Sequence, residues 1–344
     1  MLYQLSYRGL RMHIRISPIH FKIENARNGT SKAVYLFLNK SIVTMRITPN
    51  GPQMQIVLHT GAHLTDEDRL INCLMKNSSL FQQHGANIPR PAGYRKLIRT
   101  AMNDTSPFSA SSTFSEVQKA VIGSSKADRH VISNSGFFGT EKMCFGSGEL
   151  YRSAETRIGA IKNLFANDQL EMFMAIRNPA SFLPLIFYNY HDSSTQERLL
   201  GDNLHSVRWS DFFVRIRQAF PDLPLTVWCN EDTPLIWSQV IREMTQIDST
   251  VAFEGEFALM HEILSEGGLK QFQTFMEGHD GLTEVQTQRA IVAFIEKFAR
   301  EDALEDELKL PGWSQELTEQ MTELYDADLD RISEIPNLKI IQPI

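Results

Sequence analysis

The sequence predicts an α/β protein: a doubly wound, mostly parallel sheet within residues 54–344, with a largely helical C-terminal half from about residue 234. Short apolar runs bounded by turn residues recur at Met54 to Thr60, Arg129 to Ser133, Leu170 to Ile176 and Leu225 to Cys229. Segments of helical period stand between them, the order of βαβ units. The 344 residues are 42% hydrophobic and 22% charged, a balance that fits a folded globular chain and excludes collagen-like, disordered and membrane-spanning classes. The length allows two domains at most, or one with long insertions.

Taken in order, residues 1–53 stand apart. They hold eight Lys/Arg and one acid, Glu24, and their patterning is irregular, without the apolar stretch of a secretory signal. We expect a basic N-terminal extension outside the fold: a transit-like leader, a nucleic-acid-binding arm, or a translated upstream region with the start at Met54. From Met54 the pattern becomes regular. A buried strand runs to Thr60 and turns at Gly61. Thr65 before Asp66, Glu67 and Asp68 reads as an N-cap with an acidic first turn, and Leu70, Ile71, Leu74 and Met75 recur at helical spacing behind it. Asn87 to Gly93 reads as a connecting loop. Helices are expected near Gly93 to Met102 and Phe114 to Ile122, then the strand Arg129 to Ser133.

Gly136, Gly139, Gly146 and Gly148 mark an irregular stretch before a helix near Glu155 to Phe165. The strand ending at Ile176 leads through Arg177-Asn-Pro into an apolar helix, Ala180 to Tyr190. A helix from Trp209 to Phe220 precedes the strand Leu225 to Cys229. Beyond Pro234 helical periodicity dominates, closing with Trp313 to Leu329, and Leu338 to Ile341 forms a final strand or an extended tail.

The net charge of -7 conceals the basic start: the rest of the chain is strongly acidic, with twelve Asp/Glu against Lys309 and Arg331 in residues 301–334. Such a body does not attract nucleic acid or an anionic membrane, so an anionic ligand needs a local basic pocket. The acidic run is a solvated helix face or a surface that meets a basic partner. No apolar run reaches the roughly 20 residues of a membrane span. Cys73, Cys144 and Cys229 are too widely spaced for a thiolate zinc site or a disulfide framework, which points to a reducing cytoplasm. No GxSxG, HExxH, EF-hand or GxGxxG motif occurs.

Two stretches together resemble the sulfotransferase family, P-loop-type proteins that move a sulfuryl group from PAPS to a hydroxyl or amine. His59-Thr-Gly-Ala-His-Leu-Thr-Asp-Glu-Asp-Arg-Leu70 is similar to that family's strand, Gly-x-x-Lys-Thr-Gly-Thr-Thr loop and helix. Ala175-Ile-Arg-Asn-Pro-Ala-Ser-Phe182 is similar to its Arg-Asn-Pro element, which holds the donor's 3'-phosphate. Gly85 to Pro91, Ile132 to Gly139, and Leu310-Pro-Gly-Trp313 with Tyr325 and Asp328 fit the bacterial branch. The resemblance covers about residues 54–344. It implies a P-loop/sulfotransferase-type sheet, PAPS or its product PAP held by Gly61, Ala62, His63, Thr65 and Arg177, His63 as base, and a small-molecule or glycan acceptor.

The departures carry physical weight. Leu64 stands where the family has its Lys, and Asp66, Glu67 and Asp68 where it has small and hydroxyl residues. Like charges about 4 Å apart cost on the order of 1 to 4 kcal/mol, so three carboxylates oppose an anion at the helix start. Leu185 replaces a Ser, worth about 1 kcal/mol. Two hypotheses follow: an active sulfotransferase, or a degenerate binding or regulatory protein that has lost PAPS.

Each residue also has a plainer role. Asp66 to Asp68 cap a helix unless they gather a cation. His59 and His63 are packed or solvated unless one is a base. Arg177 binds a ligand at a strand end or pairs with the acidic helices. Ser133 and Asn134 line the same cleft or shape a turn. Cys73 and the four tryptophans read as packing residues.

Overall fold

The computed structural model describes residues 53–103, 110–188, 204–279, 281–304 and 313–344, together with the paired backbone of five strands between residues 2 and 47. Those five, β1 (Leu2–Tyr7), β2 (Leu10–Arg15), β3 (Phe21–Asn25), β4 (Lys32–Leu38) and β5 (Ser41–Ile47), form an antiparallel pair and an antiparallel three-stranded sheet, where the sequence pattern predicted no strand. Leu310-Pro-Gly of the closing motif, and the expected helical residues 189 and 190, lie outside the described residues.

The main sheet is built from β6 (Gln55–His59), β7 (Ala86–Asn87), β8 (Arg129–Ser133), β11 (Gln169–Ile176), β12 (Leu225–Cys229) and β13 (Leu338–Ile341); a short hairpin, β9 (Phe145–Gly146) with β10 (Glu149–Leu150), stands outside it. The order is β13-β12-β11-β6-β8-β7, and every neighbouring pair is parallel. Buried on both faces, such strands read as nearly continuous apolar runs. Helices return the chain between them: α1 (Arg69–Lys76), α2 (Ser78–Gln83), α3 (Pro91–Asn103), α4 (Ala110–Val121), α5 (Ala154–Leu164), α6 (Pro179–Tyr188), α7 (Trp209–Ala219), α8 (Thr233–Thr245), α9 (Ala258–Ile263), α10 (Glu266–Glu277), α11 (Glu284–Phe298), α12 (Glu301–Leu304) and α13 (Gln315–Ser333).

The strand period of two divides the core. Ile56, Leu58, Met172, Met174, Ile176 and Val227 point to one face and pack with α3 to α7 and α13. Val57, Phe173, Ala175 and Trp228 point to the other and pack with α1, α2 and α8 to α11. Helices therefore cover both faces. In α13 the buried positions Met321, Tyr325, Asp328 and Ile332 follow the helical stripe. A fully buried side chain of this size contributes on the order of 1.5–3 kcal/mol. Among the described residues no helix is long and apolar enough to cross a membrane.

Two local expectations need correction. The first helix does not open at Asp66. It starts at Arg69, preceded by Leu64, Glu67 and Asp68 at positive φ (57°, 49° and 63°), so the three acids form a turn before the helix. The Asp66 side chain still caps it, accepting the Leu70 N–H at 2.7 Å. The segment Asn87 to Gly93 is not all loop either: Ala86–Asn87 pairs with β8 as an edge strand, and Pro91 begins α3, where its missing N–H costs nothing.

Candidate functional site

The sheet order reverses at β6. From there the chain goes to β7 and β8 on one side, and β11 leads to β12 and β13 on the other. Open α/β sheets bind ligands outside the carboxyl ends of strands at such a point. The residues there are the loop after β6, from Thr60 to Asp68, and Arg177 and Asn178 after β11.

The β6 loop is bonded inward. Past the strand end it keeps pairing with β11: the Thr60 N–H donates to the Phe173 carbonyl (3.0 Å), the Ala62 N–H to the Ala175 carbonyl (2.7 Å), and the Ala175 N–H to the Gly61 carbonyl (2.7 Å). Gly61 has φ of +102°, and a Cβ there would meet the His63 nitrogen at 3.0 Å, so glycine is required. The His63 N–H donates to the Tyr151 hydroxyl at 3.0 Å, and the Thr65 hydroxyl to the Ala62 carbonyl at 2.7 Å. Gly61, Ala62, His63 and Thr65 are all buried.

Arg177 closes the arrangement. Its Nη1 donates to the Leu64 carbonyl at 2.9 Å and its Nε to Ser181 Oγ at 3.1 Å. The structure thus brings all five donor-site candidates together, and the guanidinium bonds the loop itself.

His63 sits in a closed pocket. Its Nδ1 lies 3.1 Å from both the Tyr151 hydroxyl and Cys144 Sγ, and its ring stacks on Tyr151. Burial lowers its pKa, partly offset by the Glu141 charge, so the imidazole is held neutral. Tyr151 is fully buried, and burial pushes the Cys144 thiol up to about 12. This Tyr151 and Cys144 partnership had no signal in the sequence, because both come from the glycine-marked stretch some 80 positions away.

His59 is buried too, with Nδ1 2.9 Å from Ser133 Oγ and the ring stacked on Trp228. Burial, then the charge of Arg95, lowers its pKa to about 4. Ser133 is a core partner rather than a cleft residue. Asn134 shapes a turn, its Oδ1 accepting the Gly136 N–H at 3.0 Å.

The three acids diverge. Asp68 pairs with Arg95 at 2.6 Å, which holds its carboxyl below the usual range. Glu67 pairs with Arg69 at 3.2 Å, and Arg69 with Glu262 at 3.1 Å. Asp66 is partly buried, and desolvation raises its pKa to about 6. Among the described residues no group of three His, Cys, Asp or Glu is placed to hold a metal.

On the β11 side, Glu231 Oε1 accepts the Asn178 N–H at 2.8 Å, and Asn178 Nδ2 donates to Thr322 Oγ1 at 2.9 Å. Behind them Asp328, 1% exposed, accepts the Ser210 N–H at 3.0 Å and the Ser210 hydroxyl. Cys73 packs as expected, with its thiol raised to about 11 by burial. Trp209, Trp228 and Trp237 are core residues, while Trp313 lies edge-on to Phe187 and lines a cleft beside α6.

The fold and this crevice define a parallel α/β protein with a closed loop at its switch point. No model of a known protein family matches the chain, and no curated protein matches it.

Proposed function

We propose that the chain is a sulfotransferase-like protein whose donor loop no longer receives PAPS, and that it acts as a binding or regulatory protein. The observation that carries this reading is the Arg177–Leu64 contact: the cation that would hold a phosphate donates to the loop's own carbonyl. Three further features support it. The N–H groups of Thr60, Ala62 and His63 already have acceptors inside the fold. Leu64 brings no charge, and the partly buried Asp66 carboxylate repels an anion. The three thiols are unpaired and buried, which fits a reducing compartment such as the cytoplasm.

Active sulfuryl transfer is the second reading, favoured by the meeting of Arg177 with Gly61 to Thr65 at the switch point. In that reaction the acceptor oxygen or nitrogen would bond to sulfur as the sulfur–oxygen bond to the phosphate breaks, PAP would leave, and His63 would take the acceptor proton. Arg177 would have to release Leu64 and the His63 pocket would have to open. Calorimetry with PAP separates the readings. Binding tighter than about 10 μM, lost in Arg177→Ala, overturns the closed-loop proposal. Binding that appears only in Leu64→Lys with Asp66→Gly supports it.

A further inference from the structure

A cleft of about 170 Å³ opens between the start of α6 and α13, lined by Asn178, Ser181, Pro184, Trp313, Thr318 and Thr322. It has room for roughly one ring or a short alkyl group; a cavity of about 150 Å³ accepts benzene. Its hydroxyl hydrogens are already committed. Ser181 Oγ donates to the Asn178 carbonyl (3.2 Å), Thr322 Oγ1 to the Thr318 carbonyl (2.9 Å), and Thr318 Oγ1 to the Ser314 carbonyl (3.1 Å). Ser181 also accepts from Arg177 Nε, and Thr322 from Asn178 Nδ2. What these hydroxyls still offer is lone pairs: one each on Ser181 and Thr322, two on Thr318.

The charges around the cleft point the same way. Glu231 holds the Asn178 N–H, Asp232 is its neighbour, and Asp326 lies one turn beyond Thr322 on the same stripe of α13. Among the described residues Arg177 is the opposing cation, at the Ser181 end, with Nη1 on Leu64. Acceptor hydroxyls, nearby carboxylates and an indole wall suit a small cation. The second Asn178 amide hydrogen remains as a donor on the rim.

We propose that this cleft binds the protonated amine of a short aliphatic group, its N–H bonds directed to Thr318, Thr322 and Ser181 and its alkyl part against Trp313 and Pro184. The same chemistry comes from a free small amine or from a lysine side chain of a basic partner. The proposal stands apart from the donor loop and does not depend on it.

The test uses the full chain labelled with nitrogen-15, following the Trp313 indole N–H, identified by its loss in Trp313→Phe. n-Butylammonium, at low-millimolar concentration on the order expected for a ligand this small, should shift that signal saturably, at least about fivefold more tightly than 1-butanol. Butyrate should leave it unmoved. Thr318→Val and Asp326→Asn should each weaken n-butylammonium by about threefold or more. Asp326 is exposed, so its variant keeps the fold. Tighter binding of Nα-acetyl-lysine methylamide assigns a polypeptide source, and tighter binding of n-butylammonium a free amine. An equal response to 1-butanol, a Trp313 shift with butyrate or PAP, or no saturable shift with either amine overturns the proposal. PAP binding that leaves Trp313 unmoved overturns the closed-loop reading alone.

Discussion

Arg177 Nη1 donates to the Leu64 carbonyl across 2.9 Å, so the cation at the end of β11 and the loop after β6 are bonding partners. A hydrogen bond to a charged group is worth about 1.5–3 kcal/mol, and removing one partner strands the other. Arg177→Ala should lower the unfolding free energy by about that amount in urea denaturation. A change under about 0.5 kcal/mol would mean that the contact does not hold the loop.

Tyr151→Phe tests the closure from the other side. The substitution keeps the ring and deletes the oxygen that accepts the buried His63 N–H at 3.0 Å. An unsatisfied buried donor costs about 1–3 kcal/mol, so stability should fall by that much. A neutral result in the same denaturation assay would show that the loop finds another acceptor.

Acid titration should reveal two opposing groups. His59, lowered from 6.5 to about 4 by burial, contributes stability that is present above 6.5 and lost as the pH falls through 4. Asp66, raised from 3.8 to about 6 by desolvation, contributes stability that is present below 3.8 and lost as the pH rises through 6. Between about pH 4 and 6 they offset each other. Asp66→Asn removes one of them, so the wild-type stability minus that of the variant should fall with rising pH, by up to about 1.4 kcal/mol per unit in this window. A difference independent of pH would remove Asp66 from the account.

Asp328 acts at a distance in sequence. Its buried carboxylate accepts the N–H and hydroxyl of Ser210 in the first turn of α7, a cap supplied by α13 and favoured by the helix dipole. Asp328→Ala should cost about 2–3 kcal/mol, while Ser210→Ala, which keeps the N–H bond, should cost about 1 kcal/mol. Equal losses in the two variants would mean that the hydroxyl bond alone matters.

The inner strands were legible because burial on both faces reads as short apolar runs: Arg129–Ser133 and Leu225–Cys229, buried at every position, are β8 and β12 residue for residue, and Leu338–Ile341, read as a strand or an extended tail, is the edge strand β13. The start of α1 was not, since Thr65 to Asp68 satisfy local capping preferences and only tertiary partners decide otherwise. Asp68 turns out to Arg95, twenty-seven positions on, and Asp66 reaches forward to Leu70. Two residues of β7 are too few to show a period. At the site, the meeting of Gly61 to Thr65 with Arg177 could be anticipated from their places at two strand ends. The Tyr151 and Cys144 walls around His63 could not, because no short-range spacing encodes a contact across more than eighty residues.

The most direct measurement is calorimetric titration of PAP into the wild-type chain, Arg177→Ala, and Leu64→Lys with Asp66→Gly. A loop closed on Arg177 predicts no binding tighter than about 100 μM in the first two, and a detectable heat only in the third. Wild-type binding near or below about 10 μM that disappears with Arg177→Ala would contradict it and restore the sulfuryl-transfer reading.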